Sequence, residues 1–113
     1  MTKQTYSRGT VVKGPDFLGP HDFRPYLCLS TESPPFRDEE AVYAGITTTR
    51  RSAAIPLTET DFMSGGLPRE SYVNPWVLVT IKHADIQGKE AQITEEAVNK
   101  IAREAAAHIG ALD

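Results

Sequence analysis

A chain of 113 residues, 40% hydrophobic and 24% charged, is the size and composition of one soluble domain spanning residues 1–113. It contains no apolar run long enough for a membrane span, and Met1-Thr2-Lys3-Gln4-Thr5 lacks the apolar core of a signal peptide, so the expected compartment is the cytoplasm. A net charge of −3 disfavours a general polyanion binder, and the single cysteine, Cys28, cannot form an internal disulfide and reads as a buried small hydrophobe.

In chain order, glycine and proline separate short apolar runs through the N-terminal half, which predicts strands. Gly9–Lys13 is the first. The second opens at Arg24-Pro25 and runs to about Ser30, after a loop containing Gly19-Pro20-His21-Asp22. Ala41–Thr47 is the third, with small and β-branched residues suited to burial on both faces. Residues 53–55 are a short fourth strand, stopped by Pro56, and residues 58–63 form a helical turn ended by Gly65-Gly66.

From Ser71 to Lys82 the alternation is clear. It places Val73, Val77, Val79 and Ile81 on one face and Tyr72, Asn74, Trp76, Leu78 and Thr80 on the other, with a bulge or free edge at Pro75. The period then changes. Ile93, Ala97, Ile101, Ala105, Ile109 and Leu112 mark an amphipathic helix with Thr94 as N-cap, acidic residues 95 and 96 in the first turn, and His108 before a stop at Gly110. Beyond the first six or so residues no disordered tail is expected. The resulting fold class is mainly β (α+β): a small antiparallel sheet carrying one C-terminal amphipathic helix.

No paired-cysteine, H-E-x-x-H, phosphate-loop or Gly-x-Ser-x-Gly motif is present, and the three histidines are far apart in sequence, so neither a metal nor a cofactor is expected. What remains is a permanently charged guanidinium at the mouth of an apolar strand. Arg24 has its root fixed by Pro25. Thr47 closes the third strand and is followed by Thr48, Thr49, Arg50 and Arg51. If the two strand ends meet, an arginine beside a hydroxyl suits the charge that builds on a phosphodiester, and RNA supplies its own nucleophile in the 2′-hydroxyl. The plainer reading of Arg24 is a salt bridge to Asp22 or Glu32, and that of Thr47 is strand propensity.

Several short motifs, in order, resemble the MazF/PemK (Kid) family of toxin endoribonucleases of type II toxin–antitoxin systems. They are Arg8-Gly9-Thr10-Val11-Val12, Arg24-Pro25-Tyr26-Leu27-Cys28-Leu29, Ala44-Gly45-Ile46-Thr47, Ala54-Ile55-Pro56-Leu57, Gly66-Leu67-Pro68 leading to Ser71, and Thr80-Ile81. The resemblance covers nearly the whole chain. It implies an SH3-like antiparallel β-barrel working as a homodimer, and metal-independent cleavage of single-stranded RNA to 2′,3′-cyclic phosphate and 5′-hydroxyl ends. It implies neutralisation by a small acidic antitoxin, with which such toxins bind DNA.

By position, the resemblance makes Arg24 and Thr47 the catalytic residues. Arg50, Arg51, Ser71, Lys82, His83 and His21 are the candidates for holding substrate. The family often carries a Gln-x-Arg-Thr run where this chain has Trp76-Val77-Leu78-Val79-Thr80, so Lys82 or His83 is expected to supply the missing cation. The alternatives from other classes are a catalytically impaired RNA- or protein-binding module on the same barrel and a regulatory dimer subunit.

Overall fold

The computed structural model describes residues 4–110. Residues 1–3, part of the expected loose start, and Leu112, counted in the helical stripe, lie outside the described residues. The elements are β1 (Thr10–Pro15), β2 (Phe23–Cys28), β3 (Glu40–Thr47), β4 (Ile55–Leu57), a 3-10 turn (Glu59–Asp61), β5 (Phe62–Gly65), β6 (Ser71–Lys82), a second 3-10 turn (His83–Asp85), β7 (Gly88–Ile93) and α1 (Glu95–His108). All pairings are antiparallel and build one seven-stranded sheet in the order β4-β6-β3-β2-β1-β7-β5. The sheet curls into a nearly closed barrel, and a cavity of about 590 Å³ lies between its edge strands β4 and β5, lined by Leu57, Phe62, Met63 and Leu67 among others.

Both faces of the sheet are apolar, as the bulk on alternate positions requires. Val11, Leu27, Ala44, Ile46, Leu57, Val73, Ala91 and Ile93 form one core, closed by Ala97, Val98, Ile101 and Ala105 of α1. Val12, Tyr26, Cys28, Ala41, Tyr43, Ile81 and Ile86 form a second core on the opposite face. The helix begins as its sequence dictates: the Thr94 hydroxyl accepts the Ala97 N–H at 3.1 Å, and Gly110 ends it at φ 81°.

Several elements differ from the sequence expectation. β2 stops at Cys28, so Leu29 and Ser30 lie beyond it. β4 is Ile55–Leu57, with Pro56 inside the strand and residues 53 and 54 outside it; β4 is an edge strand, where a missing N–H costs no ladder bond on the open side. The helical turn at 59–61 is 3-10 and leads into β5, a strand the composition of Phe62–Gly65 did not suggest. Gly65 sits at φ 68°, where an added Cβ would lie 2.4 Å from the Glu90 carbonyl, so only glycine lets β5 approach β7 there. β7 itself is a charged strand with little alternation, and Ile93 belongs to it rather than to α1.

The bulge expected at Pro75 is present and has a larger effect than a kink. Ala44 pairs with Leu78 but Gly45 pairs with Asn74, so residues 75–77 are extra on β6. Three inserted residues are an odd number, and the side-chain phase of the strand inverts. Val73 therefore joins the helix-side core while Val79 and Ile81 join the other, instead of sharing one face. Trp76, released from the ladder, packs edge-on against His108 with ring centroids 5.5 Å apart.

Candidate functional site

β2 and β3 bring Arg24 and Thr47 together. Tyr26 pairs with Gly45 and Cys28 with Tyr43, and continuing this register places Ile46 opposite Pro25 and Thr47 opposite Arg24. The Leu29 N–H donates to the Val42 carbonyl at 2.9 Å, which marks 29/42, 27/44 and 25/46 as the hydrogen-bonded pairs of the ladder. At the last of these Pro25 has no N–H to offer. The Ile46 carbonyl is satisfied instead by Arg24, whose Nη2 donates to it at 2.9 Å. Arg24 and Thr47 then occupy a non-hydrogen-bonded pair, where opposite side chains stand closest.

The second anchor of Arg24 is Asp16, in the loop 16–22 between β1 and β2. Arg24 Nη1 lies 3.4 Å from Asp16 Oδ1, and the aspartate side chain is fully enclosed. The same carboxylate accepts the backbone N–H groups of Leu18 and Gly19 at 2.9 Å and of His21 at 3.1 Å. Burial pushes the Asp16 carboxyl up, but the bonds from Leu18 and His21, the Arg24 charge and the Gly19 bond outweigh it, and the net shift is below the ordinary value. Tyr26 ties the start of the loop on either side of Asp16: its hydroxyl donates to the Pro15 carbonyl at 2.6 Å and accepts the Phe17 N–H at 3.2 Å. Neither Asp22 nor Glu32, the two partners suggested by sequence, holds Arg24. Asp16 was missed because nothing in a Pro-Asp-Phe-Leu-Gly loop reveals which backbone groups its carboxylate will collect.

Thr47 accepts the Thr49 N–H through Oγ1 at 3.0 Å, so its own O–H remains for donation. Around this pair the surface carries unusual apolar exposure: Phe17, Leu18 and Phe23 are 58%, 44% and 39% exposed. Leu18 reaches back over β3, where an added Cβ on Gly45 would sit 3.0 Å from Leu18 Cδ1 and 3.1 Å from Val77 Cγ1. Lys13 Nζ lies 5.7 Å from the centre of the Phe23 ring, a cation over an aromatic face. A cavity of about 320 Å³ adjoins Arg24, and Lys13, Phe23, Thr48, Arg69, Ser71 and Glu90 help line it.

The other sequence candidates divide. Ser71 reaches the Arg24 cavity, but it is buried and its hydroxyl donates to the Arg69 carbonyl at 2.8 Å. Arg50 and Arg51 are exposed in the turn after Thr47, and His21 is exposed in the loop that Asp16 organises. Lys82 and His83 are not brought to the site. They stand at the opposite end of β6 from Tyr72, the residue paired with Thr47, roughly 23 Å away because Lys82 pairs with Glu40, seven steps along β3 from Thr47 at the usual rise per residue. His83 is also buried: its Nε2 is 2.8 Å from the Arg37 carbonyl and its ring packs on Tyr6. The cations that do accompany Arg24 at the cavity are Arg69 and Lys13. Among the described residues, no group of three or more His, Cys, Asp or Glu side chains could hold a metal ion, and no helix is long and apolar enough to cross a membrane.

No family model and no curated protein sequence matches the chain. Its structure is similar to that of an endoribonuclease from a Mycobacterial species in complex with its cognate antitoxin, with a TM-score of 0.76 at 22% identity, covering 96% of this chain and 99% of that one. It is similar to the Mycobacterium tuberculosis toxin MazF-mt6, with a TM-score of 0.70 at 20% identity over 92% and 98% of the two chains. It is also similar to MazF in the MazE–MazF structure from Deinococcus radiodurans, with a TM-score of 0.70 at 14% identity over 95% and 97%. The chain has the fold of the MazF toxins. On that MazF fold, the mouth of β2 and the end of β3 carry Arg24 and Thr47, with the loop 16–22 folded beside them.

Proposed function

We propose that this chain is a MazF-type toxin endoribonuclease, cutting single-stranded RNA without a metal and leaving 2′,3′-cyclic phosphate and 5′-hydroxyl ends. The observation that carries this reading is the Arg24 guanidinium, fixed on the Ile46 carbonyl directly beside Thr47, on a fold shared with structures named as endoribonucleases and MazF toxins. In such a reaction the 2′-oxygen attacks phosphorus, the 5′-oxygen leaves, and negative charge grows on the non-bridging oxygens. Arg24 keeps N–H groups beyond the two it spends on Asp16 and Ile46, and these donate to the charged oxygens. Thr47 Oγ1 donates a further bond. Arg69 and Lys13 hold the flanking phosphates, and the exposed rings of Phe17 and Phe23 offer stacking faces for unpaired bases.

The biological unit in this reading is a cytoplasmic homodimer, with an acidic antitoxin as its regulatory partner and DNA binding as a property of the pair. Two of the similar structures are toxin–antitoxin complexes, which supports the antitoxin. The test is incubation of purified protein with single-stranded RNA in EDTA. Cleavage that disappears in Arg24→Ala supports the assignment. Binding of RNA with no cut product supports instead the non-catalytic module.

A further inference from the structure

We infer that Asp16 is the positioning residue for Arg24, and that through it the β1–β2 loop and the reacting guanidinium move as one unit; this rests on the endoribonuclease reading. One enclosed carboxylate makes four contacts: it holds Arg24 Nη1 and the backbone N–H groups of Leu18, Gly19 and His21. The loop's own sequence permits this wrapping. An added Cβ on Gly19 would lie 3.2 Å from Asp16 Oδ2, tighter than an ordinary contact, so a side chain there would press on the carboxylate. Pro15 precedes the wrapped segment and Pro20 lies within it, and both limit its freedom.

A planar guanidinium is oriented by two acceptors on different nitrogens, and Arg24 has one on each Nη. Its Nε is buried and makes no bond, so no third contact corrects the guanidinium plane if one anchor is lost. The Ile46 anchor is backbone and belongs to the sheet. The Asp16 anchor belongs to a loop that also carries the exposed Phe17 ring, so contact at the loop is transmitted to the fork of Arg24. Asp16 does not touch the reacting atoms. It acts through Arg24, and its removal should matter only while Arg24 is present.

The experiment measures binding of a mixed-sequence single-stranded RNA carrying 2′-fluoro groups, which cannot be cut, to wild type, Asp16→Ala, Arg24→Ala and the double variant. Arg24→Ala is expected to weaken binding about tenfold and Asp16→Ala about three- to tenfold. The double variant is expected to bind no more weakly than Arg24→Ala. Multiplicative loss in the double variant would overturn the proposal, because Asp16 would then act independently. Asp16→Asn, which keeps one acceptor oxygen, guards against unfolding of the alanine variant; on cleavable RNA it should lower kcat about tenfold, more than it raises KM, and a change confined to KM would count against positioning. In the free protein, the Arg24 Nε–H should exchange with solvent slowly in wild type and faster in Asp16→Asn, and equal rates would also sink the idea. Failure of wild type to bind or cut any RNA would instead overturn the endoribonuclease reading itself.

Discussion

Arg24 donates to the Ile46 carbonyl at 2.9 Å because Pro25, the residue facing that carbonyl across the ladder, has no N–H to give. The Arg-Pro pair is therefore a single device. Proline opens a gap in the β2–β3 ladder, and the preceding arginine folds its guanidinium into it. The sheet thereby fixes a charge at a strand end without a dedicated side-chain partner for that half of the fork.

Pro25→Ala should consequently release Arg24. The new N–H competes for the Ile46 carbonyl and restores the ladder bond. Cleavage is expected to fall about three- to tenfold while the urea midpoint stays the same or rises, since a ladder bond contributes roughly 1 kcal/mol. Activity equal to wild type would show that the carbonyl anchor is dispensable.

Arg24→Lys tests the fork itself. An ammonium keeps the charge but cannot reach two acceptors on a rigid plane while still donating to phosphate. Cleavage should drop about a hundredfold, in line with loss of a preorganised transition-state donor. A lysine variant within a few-fold of wild type, measured by single-turnover cleavage, would reduce the role of Arg24 to simple charge.

Gly45→Val probes the seat of the loop. Its Cβ would meet Leu18 Cδ1 at 3.0 Å and Val77 Cγ1 at 3.1 Å, with two further methyl groups beyond. The variant should lose about 1–3 kcal/mol of stability through overpacking, and it should lose activity beyond what that destabilisation explains, because Leu18 is tied to Asp16. Urea denaturation alongside cleavage rates separates the two effects.

The Asp16 carboxyl, lowered in the folded state from an ordinary 3.8, gives stability a pH dependence of defined sign. A group with a depressed folded value stabilises the fold fully above its unfolded value and loses that contribution as pH falls through the folded one. Wild type should therefore exceed Asp16→Asn in stability at neutral pH, and the gap should close as pH drops through 3.8 and below. Urea melts of both proteins across that range check this, and a gap that widens in acid would refute it.

Cys28 offers a check on the second core. Burial pushes its thiol up, with bonds from Ser30 and the Arg8 charge pulling less strongly the other way. At pH 8 it should resist alkylation in the folded protein and react only on unfolding. Rapid modification of native protein, read by intact mass, would contradict the burial of β2.

Much of this was legible in the residues. The Arg24-Pro25 junction, a strand over 71–82, the bulge at Pro75 and the capped helix after Thr94 each follow from local chemistry that acts within a few residues. The misses share a different cause. β5 and β7 are short and carry few β-branched or aromatic residues, and they are strands because neighbours supply their hydrogen bonds. The phase inversion in β6 depends on how many residues the bulge inserts, which Pro75 alone does not specify. Asp16 and Arg69 join the site only through loop geometry, and Lys82 and His83 leave it because sequence adjacency to a strand end says nothing about which end faces Arg24.

The central claim is that Arg24 and Thr47 form a phosphodiester-cleaving pair. Mass spectrometry of single-stranded RNA incubated in EDTA with wild type, Arg24→Ala and Thr47→Ala tests it most directly. The account requires fragments ending in 2′,3′-cyclic phosphate with wild type, none with Arg24→Ala, and strongly reduced amounts with Thr47→Ala. Intact RNA with folded wild type, or the same fragments from Arg24→Ala, would contradict it.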